Sequence, residues 1–350
     1  MKDKSRQIYW WCKENLFATY FQGLLSILGI YLIAWLVWQF LIWGIFDATF
    51  VGKDISSCER PGACWAMVTA RWEQFIYGFY PEGSRWRVNL SCILFFVTFL
   101  IIAFSKISTK LKFVVLIVNL FVITSLLMGG YWGLDVVKTE EWGGLFLTLV
   151  LAFGGIIAAF PIALLLALGR QSELKIIKTL CVVFIETVRG VPLISVLFMA
   201  SFMLPLFLPE GINFDKLLRA MVGITLFQAA YLAEVIRGGL NALSKGQFEA
   251  SVAIGLNYWQ MMRLIILPQA LRLMIPGIVN TFIALFKDTT LVLIIGLFDF
   301  LGIVQSAITD PKWIGSALEA YVFCAIVYWV FCYSMSAYSQ HLEKKLKVSR

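Results

Sequence analysis

Lys287 and Asp288 sit side by side inside an apolar run and are followed at once by Thr289 and Thr290. Adjacent helical residues point about 100° apart, so this lysine and aspartate cannot satisfy one another well and each needs a partner elsewhere. A zwitterion supplies both, a carboxylate for Lys287 and an ammonium for Asp288, with two hydroxyls in reserve. The plainer alternative is that Asp288 bonds a neighbouring helix and Lys287 reaches water in a cavity. Charges at such positions cost a few kcal/mol and mark pathways by default. The four residues are therefore candidates for a substrate path.

A second constellation repeats. Glu186 with Arg189, and Glu234 with Arg237, are each followed by glycine, so both read E-x-x-R-G. On a helix, residues three apart share a face and can pair. Two antiparallel helices would then carry matching ion pairs at one depth, either as glue that fixes geometry or as a gate whose pairs rearrange. Neither constellation is catalytic. The chain carries no G-x-x-x-x-G-K-[ST], H-E-x-x-H or G-x-S-x-G pattern, so nothing points to nucleotide hydrolysis or covalent catalysis. The seven cysteines lack metal-ligand spacing. Cys92, Cys181, Cys324 and Cys332 lie in or beside apolar runs and read as small core residues. The only histidine, His341, falls in a charged tail. No metal site is expected.

The elements that must position these residues are membrane helices. The chain is 60% hydrophobic and only 14% charged, with 13 tryptophans in 350 residues, which is not the composition of a soluble globular protein. A helix needs roughly 20 mostly apolar residues to cross a bilayer. Eight stretches qualify: about 24–46, 89–105, 113–133, 145–168, 180–208, 217–237, 276–297 and 317–339. The first follows a basic leader without a cleavage site and reads as a retained span, not a signal peptide. Pro161 and Pro192 interrupt their spans, where each can permit a kink or be neutral. The prediction is an all-α, polytopic helical bundle of about eight transmembrane helices.

The net charge of +8 forms no single basic patch, so nucleic acid is not an expected partner. With the N-terminus placed inside, eighteen Lys and Arg fall in inside segments and eight in outside ones, and three more lie within spans. That bias puts both termini in the cytoplasm. The first three spans (1–139) enclose a polar loop at about 47–88, either a small packed cap or an irregular surface segment. Cys58 and Cys64 share that loop; outside the cytoplasm they can form a disulfide or stay free.

The remaining segment, 238–275, is too interrupted to span and too apolar for an ordinary loop. Lys245–Ile254 favours a short helix, and Gly255 offers a left-handed break. Asn257 with Gln260 reads as a capping box for a second helix, which Pro268 is expected to end. A helix–turn–helix of this kind at a membrane face reads as a docking element. An interfacial helix without a partner is the bland alternative, but such helices are usually basic on their polar face.

Glu249, Ala250, Ser251, Gly255, Ile265, Leu267 and Pro268 fall at the spacing E-A-A-x3-G-x9-I-x-L-P, with Ser251 where the second alanine is usual. This resembles the docking loop of ABC importer permeases. The stretches "ETVRGVPLI", "AYLAEVIRGGLNAL", "RLIILPQALRLMIPG" and "FKDTTLVLIIG" carry the likeness across about 140–340 and point to the amino-acid branch. The long N-terminal addition resembles the M-type permease subunit of general L-amino-acid transporters. The resemblance implies a five-helix type I permease core at 140–340, a cytoplasmic tail at 341–350, and a place in a bacterial inner membrane. It implies two ATP-binding subunits docked at Glu249–Pro268, a second homologous permease in preference to a copy of this chain, and an extracytoplasmic binding protein that delivers an amino acid. This chain would hold no cofactor, ATP and Mg belonging to the partner ATPase. An ion-coupled secondary transporter, with Lys287 and Asp288 relaying protons, and a membrane-embedded scaffold are the competing classes.

Overall fold

The computed structural model describes residues 2–58, 61–105, 107–209 and 214–348. Residues 59–60 of the polar loop, 210–213 of the segment before Lys216, and the last two of the tail lie outside it. The chain divides into two compact units, Met1–Arg71 with Ile308–Ala320, and Trp72–Ala307 with Tyr321–Arg350. The division does not follow the 139/140 boundary expected from sequence. The second and third spans belong with the core.

In the first unit, α1 (Lys2–Asn15) precedes α2 (Tyr20–Leu41), whose Thr19 hydroxyl accepts the Gln22 N–H as an N-cap. No residue of α2 is buried, although it is strongly apolar, the pattern of a helix surrounded by lipid. A π turn, Ile42–Phe46, ends it. The following loop is packed, because its polar groups find partners. The Trp65 indole donates to the Gly44 carbonyl at 2.7 Å, and Cys58 and Cys64 are disulfide-bonded. The Cys64 N–H donates to Glu319 Oε1 at 3.1 Å, and Arg71 pairs with Asp310. Short α3 (Ala66–Ala70) buries Ala66 and Met67 fully. Within this unit the loop is a small cap.

In the second unit, α4 (Trp72–Tyr77) leads to α5 (Arg85–Phe104) and α6 (Thr109–Met128), an antiparallel hairpin. The second span begins earlier than the apolar count suggested because its terminal arginines are held: Arg85 pairs with Glu73, and Arg87 donates to the Asp135 carbonyl at 2.7 Å. The third ends earlier, at Gly129, whose φ of +69° turns the chain out of the helix.

Next, α7 (Gly144–Arg170) runs as one helix through Pro161, the neutral of its two open outcomes. Neighbouring helices and local adjustment can absorb a proline within a membrane helix. Pro192 does break its span: α8 (Lys175–Gly190) meets α9 (Leu193–Phe198) and its π and 3-10 continuation to Phe207 at 102°. Proline cannot donate to the helix ladder and crowds the preceding turn. With that bent pair counted once, there are eight candidate spans among the described residues.

The fourth and sixth spans make the tightest pair. On α7, Gly155, Ala159, Ala163 and Ala167 are buried, facing α10 (Lys216–Asn241) with its buried Ala220, Ala229 and Ala233. Small residues let helix backbones approach where lipid offers no hydrophobic drive to associate. A Cβ at Gly155 would meet Ile224 at 3.1 Å and Leu285 at 3.2 Å. Beyond α10 come α11 (Lys245–Ala253), α12 (Tyr258–Met261), α13 (Leu267–Leu273), α14 (Ile275–Asp288), α15 (Phe300–Ile308) and the long α16 (Ala317–Val348). At the end of the bundle away from α11, Gly143 and Gly144 bridge to Phe298 and Asp299 in parallel, and Trp142 bridges to Gly78.

Candidate functional site

Glu234 is the centre of the ionic cluster. It sits about two turns before the end of α10, with its side chain 14% exposed, and three arginines reach it. Arg237 forks onto it at 2.8–3.1 Å, Arg170 pairs at 2.9 Å and Arg189 at 3.8 Å. Glu186, 54% exposed, pairs with Arg170 at 2.8 Å and not with Arg189. This corrects the expectation of two matching pairs. The α7–α8 turn brings the last residue of α7 against both glutamates, so the cluster is one network over three helices. Arg189 also lies over the Tyr231 ring, 5.5 Å from its centroid. Arg170 was visible only as a loop charge; its place in the last turn of a helix that hairpins back toward Glu186 was the signal to find it.

Lys287 and Asp288 end α14, and Thr289 opens a 3-10 stretch to Ile295. The span therefore changes helix type at the charged pair. Thr289 and Thr290 donate their hydroxyls to the carbonyls of Phe286 and Lys287, both at 2.8 Å. Among the described residues, neither the Lys287 nor the Asp288 side chain has a hydrogen bond or ion pair. Lys287 is exposed, Asp288 half-buried and Thr289 fully buried. Two charges are left available while the two hydroxyls are spoken for. In mid-span, Gln228 is almost wholly buried and donates to the Thr281 carbonyl at 2.8 Å. Sequence reading passed over it, though a buried amide in a membrane helix is itself a signal.

The 238–275 segment is a helical hairpin. Asn257 Oδ1 accepts the Gln260 N–H at 2.9 Å and Gln260 Oε1 accepts the Asn257 N–H at 3.1 Å, completing the capping box. Gly255 has φ +79°, a conformation L side chains rarely adopt, with open space around its Cα. Pro268 does not end the second helix. A π turn, Met262–Ile266, widens the ladder, and Pro268 falls in the first turn of α13, where its missing N–H costs nothing. Phe248, Ile265 and Leu267 pack against the core below. Ser251 is buried, its hydroxyl donating to the Gln247 carbonyl at 2.6 Å. Glu249 and Ala250 are exposed, as are Val252, Ile254, Tyr258, Trp259 and Leu264. Such a cluster at the end of a bundle marks an interaction surface. Tyr258 lies outside the spans, and partial burial raises its hydroxyl above the usual tyrosine range.

Residues 159–348 match the family of binding-protein-dependent transport system inner membrane components. The chain belongs to that family, whose members are permeases and non-catalytic membrane subunits. Within it, the chain falls among the amino-acid ABC transporter permeases. It is 48% identical to the inner membrane amino-acid ABC transporter permease protein YhdY of Escherichia coli, over 97% of this chain and 93% of that protein. It is 38% identical to BztC, a glutamate/glutamine/aspartate/asparagine transport system permease of Rhodobacter capsulatus, over 96% of this chain and 93% of that one. A crystallised amino acid ABC transporter with histidines superposes at a TM-score of 0.52 and 29% identity. It covers 58% of this chain and 92% of its own. The secondary-transporter alternative is not favoured by these matches.

Proposed function

We propose that this chain forms one half of the pore of an ABC importer that moves L-amino acids into the cytoplasm by alternating access. The observation that carries the reading is the 245–268 hairpin. It holds buried anchors on one side and exposes Glu249, Val252, Ile254 and Trp259 on the other. An ATP-binding subunit seated on that face would transmit its closure to α10 and α14, which adjoin the hairpin at either end. ATP and Mg would be bound by that subunit. This chain would bind neither and would transmit force.

Lys287 and Asp288 are the proposed contacts for the amino acid's two charges, with Thr289 and Thr290 shaping the helix break that presents them. The Glu234 network is the proposed cytoplasmic brace, and its many-partner geometry favours a fixing role over a gating one. The second permease is proposed to be a related chain, and an extracytoplasmic binding protein to deliver substrate to the opposite face. Both termini lie in the cytoplasm on this reading, in keeping with the Lys and Arg bias.

Reconstituting the whole assembly in vesicles tests it. Labelled L-amino acids should accumulate only with ATP on the loop side and binding protein on the other. Uptake driven by a proton gradient without ATP would contradict the proposal.

A further inference from the structure

The first helix carries three large aromatic residues in a row. Tyr9, Trp10 and Trp11 of α1 are each more than half exposed, and Trp10 stands edge-on to Tyr9 at 6.1 Å. The same helix carries Lys2, Lys4, Arg6 and Lys13 against Asp3 and Glu14, a surplus of two positive charges. Aromatic residues beside basic ones on a short helix are the composition of an interfacial helix.

The connection to α2 fixes where α1 can lie. The Ser26 hydroxyl of α2 donates to the Leu16 carbonyl at 2.8 Å, one residue past the end of α1. Phe17 follows it back onto α2, where a Cβ at Gly23 would meet its ring at 3.4 Å. The turn is thus folded against the first two turns of a span that nothing in the protein buries. Ser26 stands seven residues beyond the Thr19 cap, about 10 Å along the axis.

That level is the membrane surface. Tyr20–Phe46 has 27 residues, about 40 Å of helix against a hydrocarbon core of roughly 30 Å. With Thr19, Gln22 and Ser26 all polar, the first turns of α2 take up part of the surplus in the headgroup layer. The end of α1 is held there too. Its charged residues bar α1 from the hydrocarbon, and tryptophan favours the interface.

The charge indicates which lipid α1 meets. Lys13 has no ion pair among the described residues, and its ammonium stands 5.2 Å from the centroid of the Trp10 ring. A cation held over a ring at the interface faces phosphate oxygens. We propose that α1 lies in the plane of the membrane surface and binds anionic phospholipid headgroups. Trp10 and Trp11 seat at the glycerol level, and Lys13 meets a lipid phosphate. A protein partner fits less well, because the Ser26 tie keeps α1 against the bilayer.

The test uses the full chain in nanodiscs, which leave both membrane faces open. Cys92, Cys181, Cys324 and Cys332 are replaced by alanine, and a bimane is attached to Cys12, the remaining free cysteine. Quenching by acrylamide, a neutral solute, reads how far α1 is shielded from water. Adding phosphatidylglycerol to phosphatidylcholine discs should raise the shielded-to-open ratio about ten-fold, and high salt should reverse the gain. Lys4→Gln, Arg6→Gln and Lys13→Gln together should abolish the lipid dependence with the melting temperature unchanged. Trp10→Ala with Trp11→Ala should leave Cys12 open in both lipids. Equal quenching of the unsubstituted α1 in the two lipids would overturn the proposal, as would a lipid dependence that the triple substitution leaves intact. So would shielding that appears only when an ATP-binding subunit is added, since α1 would then be a protein contact.

Discussion

Arg170, the last residue of α7, bonds Glu186 of α8 at 2.8 Å and Glu234 of α10 at 2.9 Å, and so ties three spans together at one end of the bundle. Glu234 carries the greater share of that knot. It is the more buried glutamate and serves three arginines, whereas Glu186 is more than half exposed.

Glu234→Gln should therefore lower the stability of the purified assembly by about 2 kcal/mol. That lies between the cost of breaking a buried pair and that of an exposed one. Glu186→Gln should cost less than about 0.5 kcal/mol. Thermal melting in detergent reads both, and equal losses would show that Glu234 is not the hub.

The expectation of two separate E-x-x-R-G pairs rested on spacing along each helix. Spacing finds neighbours on one cylinder, such as Arg237 beside Glu234. It does not see a third helix that returns through a turn, which is how Arg170 enters. The same limit explains Pro268: a proline's effect depends on whether the preceding turn widens, and the π turn at Met262–Ile266 has no mark in sequence. Hydropathy did place all eight spans, since burying backbone in lipid forces long helices. The capping box was legible because Asn257 and Gln260 are local to each other. The pairing of α7 with α10 was not, because it arises from which small and large faces meet.

If Lys287 and Asp288 receive the substrate's charges, Asp288→Asn should raise the KM for uptake at least ten-fold, the loss of one charge-assisted hydrogen bond. Thr290→Val should leave KM within about two-fold, since its hydroxyl already serves the Lys287 carbonyl. Transport kinetics in reconstituted vesicles separate the two. An unchanged KM for Asp288→Asn would remove that residue from the site.

Asp299, in the turn between the last two spans, is fully buried. Burial pushes its carboxyl up to about 6, although the Gly302 N–H and the Tyr328 hydroxyl donate to it and oppose the shift. A carboxyl raised on folding favours the protonated native state. Its contribution is full below the unfolded value near 4 and is lost as pH rises through 6. Melting stability should fall by about 2–3 kcal/mol between pH 4 and pH 7 from this group. Asp299→Asn keeps an oxygen for Gly302 and should abolish that part of the slope. An identical pH profile in the variant would contradict the assignment.

The central claim is that the 245–268 hairpin seats an ATP-binding subunit, and its hinge is Gly255 at φ +79° with nothing near its Cα. A β-branched residue there is strained by about 1–2 kcal/mol while clashing with nothing, so Gly255→Val should disturb the hairpin and spare the bundle. The most direct measurement is purification of this chain from its native membrane in mild detergent, wild type beside Gly255→Val, with every bound protein identified. The account predicts an ATP-binding subunit and a second permease with the wild type, and loss of the ATP-binding subunit alone with the variant. Recovery of the wild-type chain with no ATP-binding subunit, under conditions that preserve other transporter complexes, would contradict it.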